Sequence, residues 1–314
     1  MRYIIRYPQE PQIQIPEIYR DALKQPHLLI GGETGSGKSV LLNGIIRAAL
    51  LQSPADVGLI LIDPKRVELY DYIKFPHCIQ YASEPDNMPG ALQTAMNIIN
   101  NRFALMQKQR RKTYDGGDVY VIIDELADLM SISAKTAAPI LTRIGQIGRA
   151  AKVHLIVCTQ HLLSTGANGV GGIPTQIKVN LTAAIGLHTR NARDSQMIIG
   201  RAGCEKLPQY GYCIYNAPGH DAELINIPYI DEATAAQEVT RLFKWWTNAE
   251  NYHPDETDPE FIKQQRRKEA QAKHRAAMER QQKQLEEQRA KEKAEFEYWQ
   301  SMPMWKRILK GYYG

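Results

Sequence analysis

What this chain lacks narrows it first. None of its apolar runs reaches the roughly 18–20 residues a membrane-crossing helix needs; the longest, Val119–Ile123 and His154–Cys158, are strand-length. The opening residues, MRYIIRYPQEPQ, have no hydrophobic leader core and no small-residue cleavage site, so a cytoplasmic protein is expected. Cysteine is scarce. Cys78, Cys158, Cys204 and Cys213 form no CxxC pair, which favours free thiols in a reducing compartment over a metal site. Charge of one sign is scarce too. The 314 residues carry a formal net charge of +5, and residues 261–300 alone hold eleven Lys or Arg against seven Asp or Glu. The body before that tail is close to neutral, so bulk charge says little about a nucleic-acid partner.

What is present is an alternation of strand and helix signals. His27–Ile30, Gly58–Ile62, Val119–Ile123 and His154–Cys158 are apolar runs without polar alternation, as expected of strands covered on both faces. Lys38–Leu51, Met88–Arg111, Ala137–Gly148 and residues 232–248 read as helices, and Leu181–Leu187 and Tyr212–Tyr215 as further strands. The expected fold is α/β: a doubly wound, mostly parallel sheet. Residues 1–25 read as an N-terminal extension, with RYIIRY as an edge strand before three prolines. Residues 26–230 form the main domain, 231–250 a closing helix, and 251–314 a charged tail. The tail's Gln, Glu, Lys, Arg and Ala favour helix, but it has no sustained heptad for a coiled coil. Its aromatic, basic end, from Tyr298-Trp299 to MPMWKRILKGYYG, suits a protein or membrane-surface partner, or a short helix packed on its own domain.

The sharpest signal is Gly32-Glu33-Thr34-Gly35-Ser36-Gly37-Lys38-Ser39, which matches G-x4-G-K-[ST] between HLLI and VLLNGIIRAAL. Glycines let successive backbone N–H groups turn toward phosphate oxygens, and the following helix presents its positive end to the same anion. ATP and Mg2+ are therefore expected. Lys38 would reach the β- and γ-phosphates, and Ser39 would ligate magnesium. Val121–Ile123 then leads into Asp124-Glu125 at a strand's carboxyl end, where ligands of such sheets bind. Asp124 is the second metal-shell candidate, and Glu125 the candidate for orienting and polarising the attacking water. Gln160 ends another strand and can sense the γ-phosphate, or merely cap.

Taken together, HLLIGGETGSGKSVLLN, LILIDPKRVEL, VIIDELADLM, GRAAKVHLIVCTQ and AGCEKLPQYGYCIY resemble the motor domain of the FtsK/SpoIIIE DNA translocases, over roughly residues 26–230. The resemblance implies a RecA-like P-loop NTPase fold and a hexameric homo-oligomer that moves double-stranded DNA through its pore with ATP held between subunits. It places Arg149 on the family's trans-acting arginine, with Arg143 as the second candidate. It leaves the roles of Asp63 and Lys65 open. Lys178 matches a family lysine, and Arg190 and Arg193 lie in the stretch that corresponds to the family's pore segment. These three are the DNA-contact candidates, against the alternative of a solvated surface turn.

The match has departures. His161-Leu162 stands where the family has Arg-Pro, and Ala192 and Gln196 replace two basic pore positions. The family's membrane-spanning N-terminus and winged-helix module have no counterpart. That points to a plasmid, phage or integrative-element translocase. Two other readings stay open: a coupling ATPase that hands a nucleoprotein to a conjugation or secretion channel, and a nucleotide-dependent scaffold.

Overall fold

The computed structural model describes residue 13 and residues 15–160, 173–219 and 221–247. The RYIIRY strand, the His161-Leu162 departure, most of the glycine-rich loop 164–174 and the tail beyond residue 250 lie outside the described residues.

In chain order the elements are α1 (Glu17–Lys24), β1 (His27–Gly31), α2 (Lys38–Leu50), β2 (Val57–Ile62), β3 (Cys78–Ala82), α3 (Met88–Gln109), β4 (Asp118–Ile123) and α4 (Leu126–Ile147). They continue with β5 (Val153–Thr159), α5 (Thr175–Lys178), β6 (Ala183–Gly186), α6 (Ala192–Ile199), β7 (Tyr212–Asn216), β8 (Glu223–Asn226) and α7 (Glu232–Thr247). The strands form one sheet in the order β3-β2-β4-β5-β1-β6-β7-β8. β3 to β6 in that row pair in parallel, and β7 and β8 turn back as an antiparallel hairpin.

The unalternating strands are buried on both faces, as their sequence requires. One apolar layer packs α1, α2 and α7 against the sheet. The other packs α3, α4 and α6 on the opposite face. This is the doubly wound α/β fold that the strand–helix alternation predicts.

α1, β3, α5, α6 and β8 stand outside the sequence reading, and α4 starts earlier than that reading puts it. α4 begins at Leu126 rather than Ala137 and bends at Ser133, which is non-helical (φ −137°, ψ 26°). Its first segment buries Leu126, Leu129 and Met130, too short a pattern for periodicity to reveal. α1 was not expected among the N-terminal prolines. Pro16 directly precedes it, and Tyr19 from its middle is fully buried against Gly44 of α2, where a Cβ would strike the ring.

Candidate nucleotide site

Four parallel strands deliver the candidate residues to one sheet edge. Pairing sets Gly31 level with Thr159, and Ile123 level with Val157. Two residues further on, Glu125 comes level with Thr159, so the carboxylate, the end of β5 and the glycine loop converge. Gly35 and Gly37 have φ of +79° and +94°, in the left-handed region that costs glycine nothing. Gly32 is pressed between Leu187 and Ser36, leaving no room for a side chain. The loop is thus a backbone cradle opening onto the first turn of α2, which has no acidic residue in it.

Glu125 is fully buried and heavily bonded. Its Oε1 accepts from the Thr159 hydroxyl at 3.0 Å, and both oxygens accept from the Gln160 amide at 3.1 Å. Lys38 Nζ and Lys65 Nζ reach Oε2 at 3.5 and 3.3 Å. Burial alone would raise the pKa of this carboxyl, but Lys38, the Gln160 amide, Thr159 and Lys65 outweigh it and hold it below its ordinary value. Its neighbour behaves oppositely. Asp124 is pushed up to about 6 by burial, against the pull of Lys38, with Glu68 and Asp63 adding like-charge repulsion.

Ser39 Oγ donates to Glu68 at 2.6 Å. Asp63 accepts from the Leu69 amide at 3.0 Å through one oxygen. Among the described residues no three His, Cys, Asp or Glu side chains converge as a ready-made metal cage. A P-loop magnesium site needs none, because magnesium is held by one or two protein oxygens, phosphates and water. The residues fit that arrangement. Ser39 and Asp124 share the edge, and Ser36 Oγ and Asp63 Oδ1 are buried polar atoms without a hydrogen-bond partner in this structure. Gln160 completes the mouth, its Oε1 accepting from Thr34 at 3.0 Å.

Other candidates lie elsewhere. Arg149 is exposed, in the tight turn 148–151 before β5, at the edge of the sheet opposite the cradle. Arg102 donates to the carbonyls of Ala151 and Lys152 at 2.8 and 2.9 Å and lies 4.4 Å over the Tyr114 ring, bracing that turn. Arg143 is also exposed, on the last turns of α4. The structure does not gather the three DNA-contact candidates. Arg190 pairs with Glu33 at 2.7 Å beside the cradle, and Arg193 is exposed in the first turn of α6 at the same edge. Lys178 ends α5 at the opposite edge, before β6 begins.

The sequence reading missed Thr159 and Glu68 and left Lys65 without a role; here Thr159 and Lys65 bond Glu125, and Glu68 accepts from Ser39. A cavity of about 640 Å3 also runs from Glu33 and Lys38 to Tyr210, Ile227, Pro228 and Tyr229. The only sequence signal for this wall was the pair of tyrosines, one on each side of the β7–β8 hairpin.

A sequence model of the FtsK/SpoIIIE family matches residues 3–120 and 117–164. The chain belongs to that family. It is 35% identical over 242 residues to the DNA translocase FtsK of Clostridium acetobutylicum, covering 72% of this chain and 30% of the relative. To the DNA translocase FtsK of Staphylococcus epidermidis it is 37% identical over 217 residues, covering 62% of this chain and 26% of the relative. It therefore spans a quarter to a third of these relatives. Two solved structures share the fold. The cytoplasmic domain of the Thermomonospora curvata type VII secretion ATPase EccC aligns with a TM-score of 0.58 at 21% identity, covering 69% of this chain and 28% of that one. The pCW3 conjugation coupling protein TcpA, solved with ATPgS, aligns at 0.57 and 24%, covering 70% of this chain and 66% of that one. The chain is an ATPase of this family, and no helix among its described residues is long and apolar enough to cross a membrane.

Proposed function

We propose that this chain is an ATP-driven double-stranded DNA translocase whose ATP sites are completed between subunits of a homo-oligomeric ring. The observation that carries the reading is the split of its machinery between two edges. Cradle, Lys38, Asp124, Glu125 and Gln160 share one edge, and Arg149 is exposed on the other. An arginine that serves phosphoryl transfer from there must serve a neighbour's site. The curated relatives named DNA translocase supply the cargo.

In this reading the cradle amides and Lys38 bind the phosphates. Ser39 and Asp124 hold magnesium, which when bound neutralises phosphate charge. Glu125, freed from Lys38 as that lysine turns to the phosphates, orients the attacking water. Gln160 links the state of Glu125 to Thr34 of the loop, so it is placed to report the γ-phosphate. Arg190, Arg193 and Lys178 stand as DNA contacts, binding through charge and hence weakening with salt. A hexamer in service of a mobile element is the assembly this reading favours.

The test is steady-state ATP turnover with and without linear double-stranded DNA, with Glu125→Gln as the blank. Several-fold stimulation is expected. Turnover that ignores DNA but rises with a channel or relaxase protein would replace this reading with the coupling ATPase, and no turnover at all with the scaffold.

A further inference from the structure

The cavity that opens from the phosphate cradle has a second half that phosphate chemistry leaves unused. Its walls are Tyr210, Gly211, Ile227, Pro228 and Tyr229. Tyr229 is 82% exposed and Tyr210 62% exposed. A single exposed ring is ordinary, but apolar surface gathered into one contiguous patch beside a cavity marks a binding site.

Topology explains how they meet. β7 runs antiparallel to β6, so its first residue lies at the carboxyl edge of the parallel strands, and β8 ends at that same edge. The hairpin pairs Tyr212 with Asn226, and the Ile227 amide donates to the Gly211 carbonyl at 2.8 Å. One more step outward sets Tyr210 across from Pro228, with Tyr229 following. The ladder bond fixes two tyrosines and a proline beside the mouth of the glycine loop. Gly211, at φ +80°, turns the chain there.

We infer that this wall is the base site of the nucleotide: the purine of ATP stacks against Tyr210 and Tyr229 while its phosphates lie in the cradle. The inference rests on the reading of residues 32–39 as an ATP site and adds what selects the rest of the molecule. The wall is dominated by ring and aliphatic surface, so it recognises the face of a flat heterocycle rather than its edge. Stacking of this kind tolerates different bases, because each presents a π-face. Purines, with the larger face, bind ahead of pyrimidines, and ATP is separated only weakly from GTP.

The experiment is equilibrium binding of ATP and of inorganic tripolyphosphate, both with magnesium, to the full chain and to Tyr229→Ala, Tyr210→Ala and Tyr229→Phe. Tripolyphosphate carries the phosphates without a base. Each alanine variant is expected to weaken ATP binding by about tenfold, the scale of one lost base–aromatic stack, while leaving tripolyphosphate unchanged. Tyr229→Phe should keep ATP affinity within about twofold, because the ring remains. Unchanged ATP binding in both alanine variants would overturn the inference. So would equal losses for both ligands, which would mean that the tyrosines support the loop rather than the base. If the unaltered chain bound tripolyphosphate as tightly as ATP, the base site would fall and the phosphate site would stand. Binding of neither ligand would sink both.

Discussion

In the proposed mechanism Glu125 must give up some of the bonds it holds here in order to orient water. Thr159 and the Gln160 amide fix its direction, and two lysines neutralise it. Its replacement by Gln leaves shape nearly unchanged but removes the charge. Glu125→Gln should therefore retain ATP binding and lower turnover by about 10²–10⁴-fold, the usual contribution of a positioned base; paired binding and single-turnover measurements check it. Two histidines make a different prediction. His27 accepts a hydrogen bond from the Leu155 amide at 3.0 Å, so a proton on that nitrogen would set N–H against N–H. Burial lowers its pKa to about 4, with His154 assisting. Burial likewise lowers His77 to about 4, beneath Trp246 and against the pull of its bond to the Gln52 carbonyl. Between about 4 and the ordinary value of 6.5 the unfolded chain binds protons that the fold refuses. Stability from these two sites is complete above pH 6.5 and is lost as pH falls toward 4. Thermal melts across that window should show the fall, and His77→Gln should flatten part of it.

At the scale of elements, the short turn before β5 and the α1–α2 contact are the informative pieces. Arg149→Ala should leave ATP affinity within about twofold and cut turnover by about 10³-fold or more, the range of arginine-finger losses. Mixing it with Glu125→Gln subunits should restore part of the rate. No recovery at any mixing ratio would argue against action across subunits. On the other side of the sheet, Gly44 faces the Tyr19 ring with no gap. Gly44→Ala gains helix propensity but overpacks, and a net loss of roughly 1–3 kcal/mol is expected in denaturant titration.

Across the whole molecule, α7 closes the face opposite α3 and α4. Trp246 donates its ring N–H to the Leu50 carbonyl at 2.6 Å, and Glu238 pairs with the buried Arg47 at 2.6 Å. Removing one member of a buried pair leaves the other charge desolvated and unmatched. Glu238→Gln should cost about 3 kcal/mol in equilibrium unfolding, and a loss under about 1 kcal/mol would show that water reaches Arg47.

Much of this was legible beforehand because its signals are local. The glycine loop is eight consecutive residues, and Asp124-Glu125 follows a five-residue apolar run. Strands buried on both faces announce themselves by lacking polar alternation, so β1, β2, β4 and β5 were found close to their ends. α1, β3, α5, α6 and β8 were missed, being short and dependent on partners distant in sequence. The same divide runs through the site. Residue order alone located the glycine loop, Lys38, the Asp124-Glu125 pair and the family, because each is a contiguous pattern. Only the tertiary structure decided that Lys65 and Lys38 share one oxygen of Glu125, that Arg149 lies at the sheet edge opposite its own cradle, and that Tyr210 and Tyr229 stand together beside that cradle. Those facts depend on strand order and hairpin register, which bring together residues that lie far apart along the chain.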